Sequence, residues 1–315
     1  MNEKPLVSVF LPTYNQQNFI AASIDSVVSQ DYENLEIVIG DDCSQDNTWQ
    51  IVQEYQSRYP EKIKSFRNAK NLGITRNCNE ILKRCTGKYV VFTAGDDLFL
   101  PGKVSSQVTA MEADCNNILC YHDIEVFQSK DDKVIRYWNH GALSKKPITG
   151  AALKVAKSVV MDGTAFMAAL SVMTKRSALP DTNYDVRVPV ASDWLMWIEI
   201  LAGNIKEGKV LFIPKVLARY RRHDENITSL GYKHTADEYV TLAIVEDKYP
   251  FLVKNVVKGY ARIRYSHGIR AICNGRSKEG RSLLLLSLYS RFISWKILFW
   301  LLASYMPSLL KFRRN

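Results

Sequence analysis

Several features are scarce in this 315-residue chain, and each scarcity excludes something. The six cysteines, Cys43, Cys78, Cys85, Cys115, Cys120 and Cys273, form no CxxC pair and no Cys/His cluster with zinc spacing. That argues against a disulfide framework and predicts reduced thiols in a cytosolic protein. The opening apolar run, Leu6–Leu11, is too short for a signal h-region, and no small-residue cleavage site follows it. The expectation is a protein that is not exported. No internal repeat and no low-complexity linker interrupts the chain, and no multi-span membrane pattern occurs, since spanning helices need about 20 apolar residues.

What is present is an ordinary globular composition, 47% hydrophobic. The length suits one large α/β domain of roughly 220–250 residues and a smaller appendage. The formal net charge of +10 suits anionic partners. Acidic pairs stand at Asp41-Asp42 and Asp96-Asp97, whereas basic residues crowd 219–222 and the tail from Arg262 to Arg314. The tail is also rich in Leu, Trp and Phe, which favours a membrane surface over nucleic acid.

Along the chain, short apolar runs alternate with helical spacings. Leu6–Leu11, Leu35–Ile39, Lys64–Arg67 and Lys88–Phe92 read as strands, and Asn18–Ser29, Thr48–Tyr59 and Ile74–Arg84 as the helices between them. This alternation implies a parallel sheet with helices on both faces, whose ligands bind beyond the carboxyl ends of the strands. The Pro12–Asn15 turn and both acidic pairs fall just past strand ends, so three segments aim at one sheet edge. Further on, Lys103–Glu112 reads as a helix, Ile118–Val126 and Lys133–Tyr137 as strands, and Ser144–Lys157 as a helix. Met161–Met173 is a mixture of small and apolar residues. Ser192–Leu201 reads as an amphipathic helix, Val210–Ile213 and Leu217–Tyr220 as short strands, and the chain from Thr235 as helices. The polar stretch Asp224–Lys233 is the best boundary, giving domains 1–230 and 231–315.

Four constellations carry the chemistry. They are Val7-Ser8-Val9-Phe10-Leu11-Pro12-Thr13-Tyr14-Asn15; Ile37-Val38-Ile39-Gly40-Asp41-Asp42-Cys43-Ser44; Gly87-Lys88-Tyr89-Val90-Val91-Phe92-Thr93-Ala94-Gly95-Asp96-Asp97; and Ser192-Asp193-Trp194-Leu195-Met196-Trp197, followed by Tyr220-Arg221-Arg222-His223-Asp224-Glu225-Asn226. In order, spacing and residue type, residues 5–230 resemble a family 2 inverting glycosyltransferase of the bacterial surface-polysaccharide type. The resemblance implies a GT-A fold, a Rossmann-like mixed sheet flanked by helices, here with a helical C-terminal extension. It also implies transfer of one sugar from a nucleotide-sugar donor, with a UDP-sugar expected.

A sugar diphosphate is repelled by carboxylates unless a divalent cation lies between them, and hard oxygen donors suit Mn²⁺ or Mg²⁺. The resemblance assigns metal coordination to Asp96, with Asp97 supporting the donor. Ala94 stands where the family's first aspartate would be. The same resemblance assigns donor contacts to Asp41 and Asp42, a base-stacking floor to Pro12, Thr13 and Tyr14, and donor reach to Arg76. It places Arg222 and His223 over the diphosphate, with His223 a second metal ligand. Asp193 becomes the general base and Trp194 an acceptor-stacking ring. Against these stand plainer roles: Gly-Asp-Asp as a turn, Asp42 or Ser44 as a turn cap, Asp46 and Ser192 or Asp193 as helix caps, and Arg76 as a solvated helix face.

No Gln-x-x-Arg-Trp segment of the processive synthases is present, which points to single addition. A nucleotidyltransferase would want a glycine-rich, basic loop after the first strand, and Pro12-Thr13-Tyr14-Asn15-Gln16-Gln17 is neither. A degenerate, nucleotide-sugar-binding scaffold is the other alternative, supported by Ala94. In the tail, Leu283–Leu288 and Ile297–Leu302 are strongly apolar and flanked by Arg281, Arg291, Lys296, Lys311, Arg313 and Arg314. This reads as interfacial helices on an anionic cytoplasmic leaflet, with a re-entrant segment over 292–310 or a buried helical cap as alternatives. Such a surface suits a saccharide acceptor linked to a lipid diphosphate.

Overall fold

The structure is a computed structural model describing residues 4–141, 144–226, 235–289 and 295–305. In chain order it contains β1 (Val7–Thr13), α1 (Ile20–Val28), β2 (Leu35–Asp41), α2 (Thr48–Arg58), β3 (Ile63–Arg67), α3 (Ile74–Leu82), β4 (Tyr89–Phe92), β5 (Leu98–Phe99), α4 (Lys103–Glu112), β6 (Asn117–Gln128), β7 (Val134–Tyr137), β8 (Gly150–Ala151) and α5 (Ala152–Asp162). Then follow β9 (Met173–Lys175), α6 (Ser192–Gly203), β10 (Lys209–Arg222), α7 (Thr235–Lys248), α8 (Val253–Cys273), α9 (Ser277–Tyr289) and α10 (Trp295–Ala303). The chain forms two compact units, Met1–Ala156 with Thr164–Gly231, and Lys157–Gly163 with Tyr232–Asn315.

The first unit is built on one mixed sheet of order β3-β2-β1-β4-β9-β6-β10-β5, with β7 beside β6 and β8 beside β10. The β3-β2-β1-β4 half is parallel throughout. Its inner strands are largely apolar because both faces are covered, and two polar exceptions, Ser8 of β1 and Glu36 of β2, hydrogen-bond to each other; β2 and β4 are buried at every position. Ile20, Ile24 and Val27 of α1 pack with Val9, Leu11, Ile37 and Ile39 in the core. Burying each such side chain contributes about 1.5–3 kcal/mol. The β9 strand runs antiparallel to β4 and β6, so β6 and β10 resume the direction of the first four.

The structure corrects the reading of the sequence in four places. The helix expected over Ser144–Lys157 instead runs from Ala152 to Asp162. Pro147 and Gly150, the latter with φ of +107°, hold the preceding stretch out of helix. The two strands expected at 210–220 are one strand, β10, whose register shifts between Ile213 and Val216 and again between Val216 and Ala218, around Pro214. The β5 and β9 strands had no counterpart in the sequence reading. Finally, α6 is not amphipathic: every residue from Trp194 to Ala202 is buried. The Asp224–Lys233 boundary lies largely outside the described residues.

The second unit is helical. Gly268 of α8 and Gly280 of α9 let these helices approach closely, since a Cβ at Gly280 would lie 2.4 Å from Ile272 Cγ1 and 2.7 Å from the Gly268 carbonyl. Ile272, Leu284, Ile297, Trp300 and Ala303 form a separate small core. No described helix is long and apolar enough to cross a membrane. The expected apolar stretch beyond Tyr305, including Pro307, and Arg291, Lys311, Arg313 and Arg314 lie outside the described residues.

Candidate active site

The carboxyl ends of β1, β2 and β4 open onto a cleft of about 880 Å³ in the first unit. Its walls include Pro12 and Thr13 at the end of β1 and Tyr14 after it, Asp42 after β2, Ala94, Asp96 and Asp97 after β4, and Tyr220, His223 and Asn226 from the end of β10. The loop 14–17 is fixed to the loop 44–48 by reciprocal hydrogen bonds. The Asn15 and Gln16 backbone N–H groups donate to Ser44 Oγ (2.9 Å) and Thr48 Oγ1 (2.7 Å), and the Gln45 N–H donates to Asn15 Oδ1 (2.8 Å). Asn15 takes a φ of +51° to do so, a conformation asparagine tolerates. Asp46 accepts from the Thr48 and Gln17 N–H groups, at 3.0 and 3.1 Å. Burial pushes its carboxyl up, but these bonds outweigh burial and hold it below the usual range. Asp46 thus closes a local turn one residue before Asn47, which holds the N-cap position of α2, instead of being the cap itself.

Glycine at position 95 is required by the meeting of two loops. A Cβ there would lie 2.3 Å from Gln16 Oε1 and 2.8 Å from Thr13 Oγ1. The Gly95 N–H donates to the Pro12 carbonyl at 3.1 Å, and this fixes the height of the following acids.

The two acidic pairs differ in what they touch. Asp41 is fully buried and absent from the cleft wall. It accepts from the Ser44 N–H (3.0 Å) and Ser44 hydroxyl and pairs with Arg67 Nε at 3.3 Å. Burial raises its pKa, opposed by the Ser44 bonds and by Arg67. Asp42 reaches the wall, but Oδ1 accepts from Asn68 Nδ2 (2.9 Å) and the Leu72 N–H (2.8 Å), and Oδ2 from the Gly73 N–H (2.9 Å). Asn68 passes the network on to Asn77 at 2.9 Å.

Asp96, by contrast, turns into the cleft. Its Oδ2 lies 3.0 Å from His223 Nε2 and 3.3 Å from Asn226 Nδ2. Asn226 also accepts the His223 backbone N–H through Oδ1 at 2.7 Å, so one amide fixes both members of the pair. The His223 ring packs on Phe19, with centroids 4.5 Å apart, and Nδ1 is buried with no partner among the described residues. Arg221 closes the base of this group: its Nε donates to the Asp96 carbonyl at 2.8 Å, its N–H to Asp97 Oδ1 at 3.0 Å, and its guanidinium lies over Phe19. Burial, and then the charge of Asp96, holds Asp97 well above the usual carboxylate range.

The remaining expected site residues do not line this cleft. Arg76 is exposed in the first turn of α3, and Arg222 lies with its guanidinium 5.7 Å from the Tyr220 ring. Asp193 is half-buried in the first turn of α6, with Oδ1 accepting the Trp194 N–H at 2.8 Å. Ser192 beside it accepts from Thr75 Oγ1 at 3.0 Å, which ties α6 to the α3 turn next to cleft-lining Gly73 and Ile74. Trp194 is only 5% exposed, so its ring is packed into the core and out of reach of an acceptor. Asn226, Phe19 and Gln16 are the contributors that the sequence reading missed. Asn226 carried one local signal, an amide three residues past His223.

Among the described residues no three His, Cys, Asp or Glu side chains converge as a metal site. Asp96 and His223 supply one carboxylate oxygen and one imidazole, and Ala94 supplies nothing. Such a set fits Mn²⁺ or Mg²⁺ if phosphate oxygens and water complete the shell, as is usual for these ions at diphosphates.

A parallel sheet edge ending in an Asp–His cleft, continued by antiparallel and parallel strands in this order, defines the class of GT-A glycosyltransferases. Residues 8–173 match Glycosyl transferase family 2, and the chain belongs to that family. EpsE of Bacillus subtilis is 38% identical over 112 residues, which is 36% of this chain and 40% of EpsE. WfaP of Escherichia coli, named as a UDP-Glc:α-D-GlcNAc-diphosphoundecaprenol β-1,3-glucosyltransferase, is 28% identical over 236 residues, 72% of this chain and 82% of WfaP. Staphylococcus aureus TarS, solved in complex with UDP-GlcNAc, shares the fold with a TM-score of 0.64 at 17% identity, covering 91% of this chain and 87% of that one. The mannosyltransferase PcManGT of Pyrobaculum calidifontis, solved with GDP-Man and Mn²⁺, superposes with a TM-score of 0.61 at 17% identity over 98% of this chain and 81% of its own.

Proposed function

We propose that this glycosyltransferase moves a single sugar from a UDP-sugar to a hydroxyl of a saccharide carried on a lipid diphosphate, with inversion at the anomeric carbon, in the building of a cell-surface polysaccharide. The observation that carries the proposal is the convergence of three strand-end loops and the Asp96–His223 pair on one cleft. The donor and acceptor classes draw on the names of WfaP and of the TarS complex.

Pro12, Thr13 and half-exposed Tyr14 form the floor for the base, and Asp42, on the wall, is the acid of its pair that can meet the ribose. Asp96 and His223 would hold Mn²⁺ or Mg²⁺. That ion supplies positive charge to the departing diphosphate. Arg221 and Asn226 keep Asp96 and His223 aimed at the cleft. Asp193 is the base: as the acceptor oxygen bonds to the anomeric carbon and the bond to the diphosphate breaks, the hydroxyl proton passes to its carboxylate. The tie of its neighbour Ser192 to Thr75, next to cleft-lining Gly73 and Ile74, supports that role. Nucleoside diphosphate leaves and the lengthened saccharide remains.

The test is nucleoside diphosphate release from UDP-, dTDP- and GDP-sugars, with Mn²⁺, Mg²⁺ or EDTA, with and without lipid-diphosphate saccharides. Release from one donor that depends on metal and acceptor and is lost in Asp193→Asn is expected. Ala94 favours a second reading, a donor-binding protein without turnover. Donor binding with no release under any of these conditions would establish that second reading.

A further inference from the structure

Charge and exposed apolar surface coincide in the second unit. Residues 1–231 contain 27 basic and 27 acidic side chains, and residues 232–315 contain 15 and 5, so the entire net charge of +10 belongs to the C-terminal part. From 253 to 305 there are ten basic residues and a single acid, Glu279.

In this setting α10 is apolar on two opposite faces, with Lys296 its single charged residue. Ile297, Trp300 and Ala303 turn inward onto Ile272 and Leu284. The opposite stripe, Trp295, Leu298, Phe299, Leu302 and Tyr305, follows i, i+3, i+4, i+7 spacing, and its members are 52–72% exposed. Leu285 and Leu286 of neighbouring α9 add exposed apolar surface, at 56% and 51%. Cations border it: Lys296 is exposed within the stripe, and Arg281 reaches from α9 to within 4.3 Å of the Tyr305 ring centre. A helix with an inward apolar face already satisfied by its own core has no folding reason for a second one.

We infer that the outer face of α10, with its basic border, docks on an anionic lipid bilayer. Trp295, Phe299 and the leucines enter the boundary of headgroups and acyl chains, Tyr305 sits at headgroup depth, and Lys296 and Arg281 meet lipid phosphates. The charge distribution selects this occupant. A second copy of the chain would bring its own Lys296 and Arg281, from an equally basic C-terminal part, against the same face, whereas an anionic leaflet neutralises them. The inference deepens the reading of a lipid-linked acceptor by naming the surface that meets its membrane. It is tested by binding alone, so the two stand or fall separately.

The experiment is co-sedimentation of the full chain with vesicles of phosphatidylcholine alone and of phosphatidylcholine with phosphatidylglycerol, at low and high salt. Strong binding to the anionic vesicles, weakened by salt, is expected. The double substitution L298E/F299E, on exposed positions outside the core, should lower that affinity by about tenfold or more. K296E should lower it less and reduce the salt dependence. Unchanged circular dichroism and UDP affinity would show that both variants are folded. Equal binding of wild type and L298E/F299E, binding indifferent to phosphatidylglycerol, or a stable dimer that fails to bind vesicles would each overturn the inference.

Discussion

Two Asp-Asp pairs stand at the carboxyl ends of β2 and β4, the parallel strands on either side of β1, in similar sequence settings, Ile-Gly-Asp-Asp and Ala-Gly-Asp-Asp, yet the fold uses them in different ways. The pair at the end of β2 is taken up by backbone N–H groups and nearby side chains. Asp41 holds Ser44 and Arg67, and Asp42 holds Asn68, Leu72 and Gly73. The pair after β4 leaves one carboxylate, Asp96, facing a histidine across the cleft. Carboxylates held by N–H groups are fixed by the scaffold, and of the first pair only Asp42 also reaches the cleft wall. A carboxylate that shares a cleft with an imidazole can take a ligand.

This difference predicts different failures. The largest effect belongs to Asp96. Asp96→Ala should reduce turnover by about a thousandfold with little change in unfolding midpoint, because the side chain would hold the cation that offsets the developing charge. Nucleoside diphosphate release and urea unfolding on the same sample measure both. Asp41→Ala should do the reverse. Leaving the Ser44 groups and Arg67 without their acceptor should cost about 2–4 kcal/mol of stability in urea titrations, with donor affinity of the folded protein changed little. An Asp41→Ala protein of full stability that no longer bound donor would break the comparison. Asn226→Ala sharpens it from the other side. With Asp96 and His223 left unaligned, an approximately tenfold weaker Mn²⁺ affinity in the presence of UDP is expected, partly restored in Asn226→Gln if only the amide matters.

The smallest effect concerns a third buried charge of the scaffold kind. Lys103 is fully buried, and its Nζ donates to Gln107 Oε1 (3.1 Å), His122 Nε2 (3.0 Å) and the Leu170 carbonyl (3.0 Å). Burial lowers its pKa from 10.5 to about 7. The unfolded chain therefore holds more protons than the folded one between these values, and stability should rise with pH from about 7 toward 10. Lys103→Met should flatten that slope, as measured by thermal unfolding across the pH series, while leaving turnover alone.

Much of this was legible in the residues, and the reasons are local. β1, β2 and β4 are covered on both faces, so they appear as largely apolar runs, and each run ends where a turn-forming residue begins. That was enough to bring three loops to one edge. The β5 and β9 strands, of two and three residues, are too short to show a period and exist only through their neighbours. The family resemblance makes Trp194 an acceptor-stacking ring, and the amphipathic reading of its helix leaves that ring a solvent face. The helix is buried all round, so periodicity could not tell which ring met solvent. Asn226 lies 130 residues from the carboxylate it supports, a distance no local pattern spans. The doublets were equally visible in sequence, but what tells them apart is the hydrogen-bond inventory of the fold.

The most direct measurement is a Mn²⁺ titration followed by water-proton relaxation, with and without UDP, on wild type, Asp96→Ala and Asp41→Ala. The account predicts weak binding by the protein alone, because it offers only Asp96 and His223, and much tighter binding with UDP present. That gain should disappear in Asp96→Ala and survive in folded Asp41→Ala. A UDP-dependent gain that persisted in Asp96→Ala, or that vanished only in Asp41→Ala, would contradict this and move the metal site to the other pair.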